Sequence, residues 1–132
     1  MKASWYLTGG VAALAIAAPF VLNIVYAKVE DVPAGSLEYW LGVPDRLKGV
    51  PVVQPCAAPL YSGAGEAGRM RYTSQGTPEH LVAVMQSHFN AEACVAQDSD
   101  NGLRMLCEDG AQVTVTTMPG GECAALSIEV SR

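Results

Sequence analysis

Hydrophobic and polar positions follow three regimes along this chain. Residues 5–27 show no alternation and no charge. At 1.5 Å per residue the run makes about 34 Å of helix, enough to cross a hydrocarbon core of about 30 Å. Trp5 and Tyr6 at one end and Tyr26 at the other stand where interfacial anchors belong. The reading is a transmembrane helix over 5–27 behind a short cytoplasmic N-terminus, residues 1–4. Lys2 precedes the run and Lys28-Val29-Glu30-Asp31 comes after it, a small positive-inside bias that places the rest of the chain on the far side. The competing reading is a signal peptide cleaved after Val25-Tyr26-Ala27. The run is longer than the about 7–15 apolar residues of a signal core, so retention is expected. Both readings export the chain from Lys28 onward. No cysteine lies just after the run, which leaves a bacterial lipid anchor unsupported.

The second regime, 28–50, is punctuated by Pro33, Gly35, Gly42, Pro44 and Gly49 and reads as a tether. Within it Ser36-Leu37-Glu38-Tyr39-Trp40-Leu41 predicts a short aromatic helix with Ser36 as its cap. Tyr39 and Trp40 are candidate partner contacts; the alternatives are the headgroup layer or the chain's own domain.

The third regime, 51–132, predicts an exported domain. Val52-Val53 is a short strand candidate, and 55–68 reads as loop. Residues 69–74 alternate, with Met70 and Tyr72 on one face. Thr77-Pro78-Glu79 then opens a helix, with a threonine cap, proline at the first helical position and an acid in the first turn. Leu81, Val82, Met85 and Phe89 give that helix an apolar face, and Asn90 is its expected stop. Four extended runs come next, at 93–97, 103–107, 112–117 and 123–130, separated by turn residues at 100–102, 109–110 and 119–121. The expected fold is α+β, one helix packed on an antiparallel meander, behind a single transmembrane helix.

A domain of about 80 residues buries only about 60% of the surface of its unfolded chain, so a covalent staple is expected. Cys56, Cys94, Cys107 and Cys123 all fall on the exported side, and an even count there reads as two disulfides. No Cys-x-x-Cys signals zinc or a redox pair. A tight turn at Asp100-Asn101 sets Ala96 opposite Met105 and Cys94 opposite Cys107, whereas a turn at Asn101-Gly102 slips the register. The first register pairs Cys94 with Cys107 and Cys56 with Cys123. The second bridge then closes the longer loop, worth roughly 4 kcal/mol in the chain-entropy model.

Charge narrows the partners. The chain carries a formal −5; with Lys2 set aside, seven basic side chains face 13 acidic ones from Lys28 onward. Phosphate backbones repel such a domain, which excludes nucleic acid as a natural partner. Gly63-Ala64-Gly65-Glu66-Ala67-Gly68 matches a dinucleotide-loop pattern but opens no helix, and is read as a mobile glycine-rich loop. His80 and His88 lie eight apart, too far to share a metal, and no nucleophile is paired with either. No catalytic residue, metal ligand or cofactor is therefore assigned.

The membrane run adds one further signal. Gly9, Ala13 and Ala17 recur every fourth residue and form a small-residue stripe that lets another helix approach closely. These features point to a non-catalytic accessory subunit of a larger bacterial inner-membrane complex. Its expected partners are an integral membrane protein assembly, the lipid bilayer and a basic soluble periplasmic protein. The alternative is a stand-alone, membrane-anchored module that binds a ligand or peptide.

Overall fold

The computed structural model describes residues 28–99 and 102–132. The expected span at 5–27, with its Gly9, Ala13 and Ala17 stripe, and the turn residues 100 and 101 lie outside the described residues. Among the described residues no helix is long and apolar enough to cross a membrane.

The described residues open with strand β1, Val29–Pro33. Helix α1, Leu37–Gly42, is next, its first turn capped by the Ser36 hydroxyl, which accepts from the Tyr39 N–H at 3.1 Å. A single helical turn, α2, covers Asp45–Lys48. Strands β2, Leu60–Ala64, and β3, Ala67–Ser74, form a hairpin. The long helix α3, Pro78–Ala91, is capped as expected by Thr77 with Pro78 in its first turn. Four strands complete the chain: β4, Cys94–Gln97; β5, Leu103–Cys107; β6, Gln112–Met118; and β7, Ala124–Ser131. All seven strands join one antiparallel sheet in the order β1-β2-β3-β7-β6-β5-β4. The domain is α+β, with α3 laid on an antiparallel sheet.

One face of the sheet is buried and the other is not. Period-two alternation makes this inevitable once one face is apolar. Ala124, Leu126, Ile128 and Val130 of β7 all point inward, as do Met70, Tyr72 and Ser74 of β3. Leu81, Met85 and Phe89 of α3 are fully buried over the β4 side of the sheet. Tyr39 and Leu47, from α1 and α2, cover the β1 side and belong to the same continuous core.

Three expectations need correction. Residues 28–50 are not a free tether. β1 pairs with β2, and Tyr39, Val43, Leu47 and Val50 are core residues. The prolines and glycines of this segment mark the turns of a compact strand–helix–helix unit, so the folded domain reaches back across the boundary expected at 51. The glycine-rich 63–68 segment is likewise no mobile loop but the β2–β3 hairpin. Gly65 takes the left-handed φ of +65° that the turn needs. A Cβ on Gly63 would lie 2.0 Å from the Gly42 carbonyl oxygen, and one on Gly68 would lie 2.6 Å from Pro44 Cδ. These glycines let α1 and α2 lie directly on the hairpin. Val52-Val53 is not a strand; Val53 instead donates to the Tyr72 hydroxyl at 3.1 Å and accepts from the buried Ser74 hydroxyl at 2.6 Å.

The cysteines pair as the first hairpin register requires. Cys94 faces Cys107 and Ala96 faces Met105. Disulfides join Cys94 to Cys107 and Cys56 to Cys123, across 13 and 67 positions.

Candidate interaction surface

The uncovered face of the sheet is the first candidate. Reading across β2, β3, β7 and β6, Leu60 lies beside Arg71, Arg71 beside Ser127, and Ser127 beside Thr116. The next row sets Thr73 beside Ala125 and Ala125 beside Met118. Here the face holds a mostly apolar groove of about 440 Å³, walled by Ala57, Ala58, Leu60 and Met118. Met118 is 67% exposed, the most open large apolar side chain of the groove. The wall at Ala57 is built by the chain, not by the sheet. The Cys56 N–H donates to the Thr73 carbonyl at 2.8 Å, and the disulfide ties Cys56 to the segment just before β7. The long-range bridge therefore holds one side of the groove in place.

Polar residues frame the groove. Arg71 reaches Asp31 at 2.5 Å, and Arg69 Nε donates to Glu129 at 2.8 Å. Both pairs are half-exposed, so each adds little stability. Each pair is neutral overall, so together they give this face a polar edge.

The second feature is Arg46 of α2, which joins three distant segments. One guanidinium nitrogen sits 3.2 Å from Cys94 Sγ, 3.3 Å from Cys107 Sγ and 3.6 Å from Glu92; the other pairs with Asp109 at 2.8 Å. The Asp109 carboxyl is held below the ordinary aspartate value of 3.8, first by the Ala111 N–H that it accepts, then by Arg46. A carboxylate with a depressed folded-state pKa stabilises the fold above its unfolded value, and that contribution is lost as pH falls through the folded value. Thermal midpoints of the wild type should therefore drop as pH is lowered below about 4. Asp109→Asn should lower the midpoint at neutral pH and flatten that acid-side drop. Parallel curves for the two proteins would show that Asp109 does not contribute.

Neither histidine lines the groove. His88 Nε2 is enclosed, 3.5 Å from the Glu92 carboxylate and without a hydrogen-bond partner among the described residues. His80 stands at the opposite end of α3, its N–H donated to Thr77. Burial, reinforced by Tyr39 and Tyr72, pushes the Tyr61 phenol up to about 12, so it stays protonated. Among the described residues no three His, Cys, Asp or Glu side chains gather as a metal site.

The third feature is α1. Tyr39, a candidate partner contact, turns inward and packs edge-on against Tyr61 at 4.8 Å. Trp40, the other candidate, is 60% exposed. Sequence reading missed the groove altogether, because its walls come from four separate strands and a loop. No family model, curated protein or solved structure matches this chain.

Proposed function

We propose that this chain is a non-catalytic, single-pass accessory subunit of a larger bacterial inner-membrane complex of respiratory, photosynthetic or secretory type. In this reading its periplasmic domain stabilises the assembly or shapes a docking surface. The observation that carries the reading is the uncovered sheet face, where an apolar groove with a polar, ion-paired edge is presented outward on a disulfide-pinned scaffold. Apolar centres within polar rims suit protein contacts. The membrane run would supply the second contact through Gly9, Ala13 and Ala17. The acidic remainder of the domain would steer a basic soluble partner at low ionic strength.

A second reading, a stand-alone membrane-anchored binding module, draws on the same groove, whose volume falls within the usual range of about 300–1,000 Å³ for small-ligand sites. Gentle detergent extraction and native sizing separate the two. The accessory subunit should co-migrate with a large complex. Ala13→Leu fills the small-residue stripe, and Met118→Asp places a charge on the groove rim without touching the core. At least one of them should release the partners while the protein stays membrane-bound and folded. A 13.8 kDa chain migrating alone, or unchanged recovery with both variants, favours the binding module.

A further inference from the structure

Leu37, Trp40 and Leu41 are 61%, 60% and 40% exposed. Their spacing of three and four residues aligns them on one side of α1. The other side is anchored by Tyr39, so the helix is fixed to the domain while it presents an apolar stripe outward. Lys48 holds the indole in place, lying 5.4 Å over the Trp40 ring and donating to the Trp40 carbonyl at 2.8 Å. A stripe of this size on an ordered helix marks a contact surface.

The position of α1 relative to the preceding chain decides its cover. Gly42, the last residue of α1, is pressed onto Val29; a Cβ there would lie 2.8 Å from both Val29 γ-carbons. Val29 opens β1 and stands two positions beyond Ala27, the last residue of the uncharged run. Two residues of extended chain reach at most about 7 Å. The polar layer flanking the hydrocarbon core is about 5–7 Å thick on each side. If the run spans the bilayer, Val29 and the helix end packed on it stand no further out than about the outer boundary of the headgroup layer. Tryptophan and leucine on one side of a helix are the residues that settle in that layer.

We propose that α1 is an interfacial foot: it lies in the headgroup layer of the outer leaflet of the inner membrane, with Leu37, Trp40 and Leu41 against the acyl chains, and so sets how the sheet stands on the bilayer. This rests on the reading of 5–27 as a retained span. The occupant is lipid, because covalent reach keeps the Gly42 end of α1 beside the bilayer whether or not a protein partner is present, and the stripe carries the residues that settle there.

The chain has two tryptophans, so each can be isolated. Trp5→Phe leaves Trp40 as the only emitter, and Trp40→Phe leaves Trp5 as a reporter of the span. Each full-length variant is reconstituted, with no other protein, into phosphatidylcholine vesicles whose acyl chains are brominated near the ester end. Trp40 should lose most of its emission relative to unbrominated vesicles, and its spectrum should shift to the blue. Quenching of Trp5 with Trp40 bright and red-shifted overturns the foot, leaves the span intact and assigns the stripe to a protein partner. Quenching of Trp40 alone overturns the span and, with it, the covalent reach on which the foot rests. If neither is quenched, both readings fall.

Discussion

Replacing Cys56 and Cys123 together by alanine should lower the unfolding free energy of the domain by about 4 kcal/mol. The bridge spans 67 positions, so its removal returns a long loop's worth of freedom to the unfolded chain. Cys56 is exposed and Cys123 only partly covered, so little packing is lost with the sulfurs. The cost therefore falls on the unfolded state, and it is large beside the about 5–15 kcal/mol that a domain typically has. Guanidinium denaturation of residues 28–132 should show a lower midpoint and a steeper denaturant dependence, because an uncrosslinked chain exposes more surface when it unfolds. A loss below about 1 kcal/mol would place the stability elsewhere and leave the groove wall at Ala57 held by the sheet alone.

Leu47→Ala should cost about 3 kcal/mol, within the range for emptying a fully buried leucine site. Leu47 has no exposed surface, and its side chain closes the space between α2 and Gly68. The neighbouring Leu41, exposed on α1, provides the control: Leu41→Ala should change stability by less than about 0.5 kcal/mol in solution. The same denaturation experiment reads both. A neutral Leu47→Ala would return 28–50 to the status of a tether and move the domain boundary back to 51.

That boundary is the part of the fold least legible in the sequence. Local signals identified α3 well, because Thr77, Pro78 and the Leu81, Met85, Phe89 spacing are all encoded within the helix itself. The last three strands were legible for the same reason, and the hairpin register came from counting outward from the turn to Cys94 and Cys107. The misread elements depend on distant partners. β1 becomes a strand only by pairing with β2, and Gly63 and Gly68 look like loop residues until the Gly42 carbonyl and Pro44 are laid against them. The charged pairs Arg71–Asp31 and Arg69–Glu129 span 40 and 60 positions and carry no local signature. The groove of the open face was invisible for that reason, while the exposed Trp40 was visible because it needs no partner to be noticed.

The placement of β7 has a consequence for the order in which this protein comes together. β7, Ala124–Ser131, follows the other six described strands in the chain yet occupies the middle of the sheet between β3 and β6. Until it arrives, the β1–β3 unit and the β4–β6 meander share no strand pairing, and each presents an unpaired edge. Such edges recruit other chains when left open. A chain lacking β7 would therefore be two half-sheets without a seam. The two halves of this sheet stay unjoined until β7 is delivered, and the interval before that strand inserts is when the chain most needs protection from its neighbours.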